Sequence, residues 1–338
     1  MNHVLSPCWQ QFREKAARFP QRIIFADGED SRTLEAASFL LQNKICQPVL
    51  IGHRQRIQKS NSAFEIIDFS EFSQTQKDDL IHSLSALPKF QGKSPEVLET
   101  TIQDPLFLGC LLLRTHQVDG FIGGATRTTG DTLKAVFSII GMAKTADVIF
   151  GFFMLESRQP ERSSDPLVFF ADCAVIPNPS AKQLARIAIG ASEAYRFFML
   201  QEPKTAFLSF STNGSATHEM VDKMKEALKI TIEKCPQNHW EGEWQADACL
   251  DPFSATQKGV GHSKNAGACN VLIAPDLNTG NIAYKLVQRV GNTRAVGPIL
   301  WGTAQPANDL SRGCLVEDII DMAAITSLQA ISQRNSLS

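Results

Sequence analysis

The chain has 338 residues, 43% hydrophobic and 20% charged, and that composition favours a large buried core over disorder. Thirty-three Lys and Arg face 35 Asp and Glu, giving a formal charge of −2. This excludes broad electrostatic nucleic-acid binding as the main role and leaves room only for a local basic pocket. No run of about 18 uncharged apolar residues is present, so no membrane span is expected, and the length suggests two domains.

The amino-terminal stretch MNHVLSPCWQQFREKAARFP has no basic-then-apolar leader and already carries Glu14, so a cytoplasmic chain is expected. Apolar runs rich in Val, Ile and Phe then alternate with segments of helical period. A strand is expected over 22–26, a helix over 34–43, strands over 47–51 and 119–123, a helix over 132–142 and a strand over 148–155. The polar stretch 156–165 (ESRQPERSSD) reads as a loop, with the change of domain just before it, near 145–150. Strands at 167–175, 206–211, 270–274 and 295–301 follow, with helices at 181–198, 218–234, 282–291 and 316–331. The helix at 181–198 is the clearest, with Leu184, Ile187, Ala188, Ala191, Ala194, Tyr195 and Phe198 on one face. Such alternation implies an α/β chain with mostly parallel sheets covered on both faces, and ligands bound beyond the carboxyl ends of strands.

Eight cysteines are scattered without a Cys-x-x-Cys pair, as expected of reduced, buried thiols. His218-Glu219 is followed by Met220 and Val221, so the spacing of a zinc-binding helix is absent and no metal site is expected.

Two polar clusters carry candidate chemistry. NDLSRGCLVED, Asn308 to Asp318, precedes the last helix and offers backbone N–H groups, the Ser311 hydroxyl and the Arg312 fork for an anion. Plain helix capping by Glu317 and Asp318, with Ser311 closing a turn, is the competing reading. GGATRTTGDT, Gly123 to Thr132, closes a strand and opens a helix, with Asp131 suited to the cap. It has the chemistry of a phosphate cradle but lacks the Walker lysine and the Gly-x-Gly-x-x-Gly spacing, so an ordinary strand-to-helix turn competes equally. ADGEDSRT (26–33) reads as an acidic turn with Ser31 as helix cap, and LSFSTNGSATH (208–218) as a hydroxyl-rich loop ending a buried strand. In PDLNTGNIAYKLVQR (275–289), Lys285 and Arg289 share a helix face.

In order, ADGEDSRTLEAA, DPLFLGCLLLRTHQVDGFIGGATRTTGDTLKAVFSIIG, ADCAVIPNPSAKQLARIAI, LSFSTNGSA, NVLIAPDLNTGNIAYKLVQR, GPIL and NDLSRGCLVEDIIDMAAIT resemble successive blocks of the phosphate acetyl/butyryl transferase family, from about Arg22 to Ser327. The resemblance implies two α/β/α three-layer domains with mostly parallel sheets and an active site in the cleft between them. The first domain would be 1–147 plus 303–338, including the last helix; the second, 148–302, would form most of a homodimer.

It also implies reversible acyl transfer, acetyl-CoA plus phosphate giving acetyl phosphate plus CoA, with coenzyme A as substrate and no separate cofactor. By the same resemblance Asp318 takes the CoA thiol proton, while Ser311 and Arg312 hold the phosphoryl group and steady charge on the carbonyl. Asn308, Arg289, Lys134, Thr128, Thr129, Gly124, Asn281 and Tyr284 are expected to contact substrate. A butyryl or other short-chain preference, or a non-catalytic CoA-binding paralogue, remains as an alternative.

Departures bear on CoA rather than on the chemistry. A family arginine falls at Pro88 and another at Lys134; Asn213 and Ala268 stand where the family has lysines, with Arg127 or Lys89 as compensating cations. Cys314 suggests a thioester route, but direct displacement accounts for its neighbours without one.

Overall fold

The computed structural model describes residues 6–58, 63–156, 167–291 and 293–337, with side chains to residue 334. The loop expected at 156–165 lies outside the described residues except Glu156, which ends a strand. The chain divides into two compact units, 1–144 with 303–338, and 145–302.

Unit 1 opens with α1 (Pro7–Ala17), β1 (Arg22–Phe25), α2 (Ser31–Gln42), β2 (Gln47–Ile51), α3 (Arg54–Ile57) and β3 (Glu65–Ile67). It continues through α4 (Gln74–Ser85), α5 (Pro95–Gln103), α6 (Pro105–Arg114), β4 (Gly120–Gly123) and α7 (Thr129–Ile139). Unit 2 contains β5 (Phe150–Glu156), β6 (Leu167–Ala171), α8 (Ala181–Met199), β7 (Thr205–Leu208), α9 (Glu219–Lys234) and β8 (Trp240–Trp244). It ends with α10 (Ala246–Leu250), α11 (Pro252–Gln257), β9 (Val271–Ile273), α12 (Leu277–Val290) and β10 (Arg294–Trp301). The chain then returns to unit 1 as β11 (Ala307–Asp309) and α13 (Val316–Leu337).

The unit 1 sheet runs β11-β4-β1-β2-β3, and every pairing is parallel. A layer of α1, α2 and α13 packs against it, and α4 to α7 form a second layer. Coverage on both faces explains why Ile23, Ile24 and Phe25 are all buried in one short strand. From β1 the chain runs outward through β2 and β3, then returns to the other side of β1 as β4. The strand order therefore reverses between β1 and β4, where open α/β sheets leave a crevice at their carboxyl ends. The last helix is tied to the first by Arg13 Nε, which donates to the fully buried Asp321 at 2.6 Å.

The unit 2 sheet, β10-β5-β6-β9-β7-β8, is mixed: β5 pairs antiparallel with both β10 and β6, and the remaining pairs are parallel. Its core stacks Phe152 on Phe169 at 5.0 Å between ring centres, with Tyr195 and Phe198 of α8 against them. The helix expected at 181–198 is thus an apolar face laid on this sheet, started by a Ser180–Gln183 capping box.

Several expected boundaries moved for local reasons. The strand expected over 167–175 stops at Ala171, because the Asp172 carboxylate gathers the N–H groups of Gly151, Ala174, Val175 and Ile176 and turns the chain. Helix α2 is capped by Asp30, not Ser31, since the Asp30 carboxylate accepts from the Arg32 N–H at 2.9 Å. Helix α7 is capped by Thr128, and Asp131 completes a capping box from the third helical position. Asp276 starts α12 at Leu277, earlier than expected. The polar cluster before the last helix begins inside a strand, β11, pairing with β4 through Asn308↔Ile122 and Asp309↔Gly123. The sequence reading has no element at α1, α3 to α6, α10, α11, β3 or β8.

Candidate active site

Three loops leave the carboxyl ends of neighbouring unit 1 strands: 26–30 after β1, 124–128 after β4 and 310–315 after β11. Two side chains join them. Asp27 accepts from the Ala125 N–H at 3.0 Å and the Thr126 N–H at 3.2 Å, and also from the Thr126 hydroxyl. Arg32 reaches across all three loops. Its Nη1 donates to the carbonyls of Arg312 and Cys314, each at 2.9 Å, and its Nη2 to the Ala125 carbonyl at 2.8 Å and Asp30 Oδ2 at 3.0 Å. A delocalised fork suits this task, because only a planar group with five donors can hold carbonyls on several chains at once. Burial alone would raise the Asp30 carboxyl, but the hydrogen bonds and charge of Arg32 hold it below its ordinary value.

On the loop so pinned, Ser311 Oγ accepts from the Gly313 N–H at 3.3 Å and the Cys314 N–H bonds the Ser311 carbonyl at 2.9 Å. Arg312 is exposed, and no described residue engages its guanidinium. Asp318 is half-buried in the first turn of α13, where its Oδ2 accepts from the Leu315 N–H at 2.9 Å. The capping features expected as the bland alternative are therefore present, and they hold a serine, a guanidinium and a carboxylate within one eight-residue stretch. Cys314 is buried, and burial pushes its thiol up to about 11; Arg32 opposes that shift, while Asp318, Asp30 and Asp27 reinforce it.

The second cluster separates into a scaffold and a residue with a free face. Thr128 caps α7, accepting from the Asp131 N–H at 3.2 Å and donating to Asp131 Oδ2 at 2.8 Å, which holds the Asp131 carboxyl below its ordinary value. Arg127 pairs with Asp104 at 3.0 Å. Lys89 Nζ lies 3.5 Å from Ser138 Oγ on α7, and exposed Lys134 sits one turn before Ser138 on the same helix. Gly124 has φ +103, and a Cβ there would overlap Asp309 Oδ1 and lie 2.7 Å from the Leu310 carbonyl oxygen.

Asp309, like Arg32, is a residue that sequence reasoning missed. It ends β11, is 0% exposed, and neither carboxyl oxygen meets a donor in hydrogen-bond geometry. The hydroxyls of Thr129 and Thr132 and the Leu310 N–H lie near enough to favour its charge, but burial and the neighbouring Asp27 outweigh them, raising its carboxyl to about 7. Its only signal in the sequence is an acid between Asn308 and Leu310 at the mouth of a polar loop.

Other expected substrate contacts are turned inward. Asn308 is fully buried and its amide donates to Thr326 Oγ1 at 2.9 Å and Gln329 Oε1 at 2.8 Å, so it braces β11 against α13. In unit 2, Tyr284 is buried and stacked on Phe153 at 3.7 Å. Asn281 Nδ2 donates to the Cys173 carbonyl at 3.3 Å, while Arg289 is exposed at the end of α12. The hydroxyl-rich loop after β7 is organised by buried Glu243, which accepts from Ser211 Oγ at 2.8 Å and the Gly214 N–H at 2.9 Å; Asn213, at φ 51, takes the left-handed turn. A cavity of about 200 Å³ beside the β1 loop is lined by Asp27, Glu29 and Asp30 with Thr126 and Arg127, an acidic wall unsuited to an anion.

Comparison with known proteins matches this chain to one family. A family model described as phosphate acetyl/butaryl transferase covers residues 7–327. A phosphate acetyltransferase of Clostridium acetobutylicum is 41% identical over 324 residues, spanning 94% of this chain and 96% of the relative. One from Thermoanaerobacterium thermosaccharolyticum is 39% identical over 326 residues, spanning 95% and 98%. A solved phosphotransacetylase from Streptococcus pyogenes superposes with a TM-score of 0.86 at 33% identity, covering 98% of this chain and all of that one (100%).

Proposed function

The chain belongs to the phosphate acetyl/butaryl transferase family, and on that premise we propose that it exchanges an acetyl group between coenzyme A and inorganic phosphate. The observation that carries the catalytic reading is the Arg32 clamp, which fixes the Ser311–Cys314 turn to the ends of β1 and β4 with Arg312 left free. In the direction of thioester synthesis, Asp318 takes the proton of the CoA thiol. The sulfur attacks the acetyl carbonyl carbon, the carbon–oxygen bond to phosphate breaks, and phosphate leaves under the Arg312 fork. A free thiol near 8.5 is only a few per cent ionised at neutral pH, so a positioned base contributes about 10²–10⁴ in rate. Ser311, with its hydroxyl beside the loop N–H groups, steadies the charge that develops on the carbonyl oxygen, an effect on the order of 3 kcal/mol.

Direct displacement is favoured over an acyl-cysteine intermediate by the raised Cys314 thiol. At about 11 it is almost wholly protonated at neutral pH, and it is buried. For the missing family arginine at Pro88, Lys89 and Lys134 beside one face of α7 supply charge for the phosphates of CoA, without the bidentate fork. No cofactor beyond the CoA substrate enters this scheme.

A homodimer through unit 2 is supported by α12, where Ile282, Leu286 and Val290 stand exposed at successive turns, Val290 at 83%. No helix among the described residues is long and apolar enough to cross a membrane, which fits a cytoplasmic enzyme.

The test is thioester absorbance with CoA and acetyl phosphate, repeated with butyryl phosphate. Turnover with acetyl phosphate, exceeding that with the butyryl compound, is the expected result. A chain that binds CoA yet forms no thioester from either donor belongs to the non-catalytic alternative.

A further inference from the structure

The mechanism above uses neither Asp309 nor the hydroxyls at the amino end of α7. Yet a strand, a loop and a helix converge on this carboxyl. Asp309 ends β11 with both oxygens buried and unmet. Gly124, at the end of β4, has no side chain because one would overlap Asp309 Oδ1. α7 presents Thr129 and Thr132. Thr132 is fully buried, and its hydroxyl also has the Thr128 carbonyl at 3.5 Å. Thr129 is half-buried, with Asp309 on one side and solvent on the other. The charged group facing Asp309 is Asp27, on the loop after β1. α13 meets the strand through Thr326 and Gln329, both neutral and both bonded to Asn308.

We propose that Asp309 is a positioning residue for the anionic substrate, and that an oxyanion docking at the amino end of α7 draws a proton onto it. As a neutral acid, Asp309 donates to the Thr129 oxygen, and the Thr129 hydrogen turns outward to a phosphoryl oxygen. As a carboxylate it captures that hydrogen instead, and two charges, Asp309 and Asp27, stand beneath the docking anion. The α7 amino terminus attracts an anion through its free N–H groups and dipole. A carboxylate buried directly under it cancels that attraction, and burial leaves the charge unscreened. With the free acid near 7, the two forms are closely balanced around neutral pH, so a modest ligand field shifts the proton.

This inference rests on the reading that unit 1 takes the phosphoryl group, but it is tested separately. The full chain is titrated calorimetrically with sulfate, a dianion that itself takes up no proton near neutrality, in two buffers of different ionisation enthalpy. At about pH 7.5, wild type is expected to take up roughly three-quarters of a proton per sulfate bound, and to bind sulfate about twentyfold more tightly at pH 6.5 than at pH 8.5. Asp309→Asn is expected to abolish both the uptake and the pH dependence. Thr129→Val is expected to weaken sulfate about tenfold at pH 6.5, with Thr129→Ser restoring it.

Absence of sulfate binding, absence of proton uptake by wild type, or undiminished uptake by Asp309→Asn overturns the proposal. Should that variant not fold, infrared difference spectra of wild type decide: a protonated-carboxyl band that grows on adding sulfate supports it, and an unchanged spectrum overturns it. An active transferase without proton uptake sinks only this inference. An inactive chain with uptake sinks only the functional reading above.

Discussion

Asp172 and Asp309 are both buried carboxylates at strand ends, one in each unit, and both are raised above the ordinary carboxyl value chiefly by burial. Their neighbours treat them differently. Asp172 receives four backbone N–H groups, at 2.7 to 3.1 Å, and terminates a strand with them. Asp309 receives no well-formed hydrogen bond and sits over a glycine and beside a second carboxylate. A carboxylate whose lone pairs are filled by backbone is a structural knot, because removing it strands every donor that it gathered. One left unsatisfied in a low-dielectric site stores free energy that a ligand or a proton can release. The contrast locates adaptable chemistry at the β4 and β11 ends of unit 1, and rigid chain reversal at the β6 end of unit 2.

The most severe test of that contrast is Asp172→Ala. Leaving four N–H groups unmet, that of buried Gly151 among them, is expected to cost about 4 kcal/mol, read as a fall in the denaturation midpoint at constant slope. A loss under about 1 kcal/mol would place Asp172 in the same class as Asp309.

The pH dependence of stability follows with the opposite sign. Asp309 has a folded value of about 7 against an ordinary 3.8, so the folded chain binds the extra proton between those values. Its contribution is complete below the unfolded value and is lost as pH rises through the folded one, amounting to roughly 4 kcal/mol by the linkage relation. Asp309→Asn removes that loss, so the variant is expected to gain stability over wild type at pH 8 and to lose that advantage near pH 4. Parallel stability curves for the two proteins would contradict a raised Asp309.

Gly124→Ala sharpens the comparison locally. It combines a left-handed φ of +103 with overlap of Asp309 Oδ1, for an expected cost of about 2–3 kcal/mol. Adding Asp309→Ala should recover the overlap with Oδ1 but neither the backbone strain nor the close approach to the Leu310 carbonyl, a coupling that a double-mutant cycle resolves. Additive effects would mean that the glycine answers to the backbone alone. The smallest expected effect is that of Arg32→Lys. A lysine keeps the charge but cannot hold carbonyls on two loops while meeting Asp30, so kcat should drop about tenfold with the fold intact.

Much of the architecture is legible in the sequence because its signals are local. Apolar runs marked most strands, helical period found α8, and the Ser-Arg-Gly-Cys turn drew notice by its density of polar groups. What escaped depends on contacts across the chain. Arg32 stands 280 positions from the carbonyl of Arg312 that it holds, and nothing in EDSRT forecasts that reach. β11 has three residues, too few for alternation to show which side chains point inward. Asn308 and Asp309 therefore look like loop polars in the sequence, though both are buried. The burial of Tyr284 is hidden in the same way, since a tyrosine among polar neighbours says nothing of the Phe153 ring beneath it. Caps were displaced by one to three residues at Asp30 and Thr128, because adjacent Ser, Thr and Asp residues compete for the same N–H groups.

The proton acceptor at residue 318 is the claim on which the catalytic account stands, and it is measured most directly by kcat for thioester formation in wild type and Asp318→Asn at saturating acetyl phosphate and CoA. Loss of two or more orders of magnitude, with an unchanged melting temperature, is the predicted result. Turnover within a factor of about three of wild type would contradict it and require a different base.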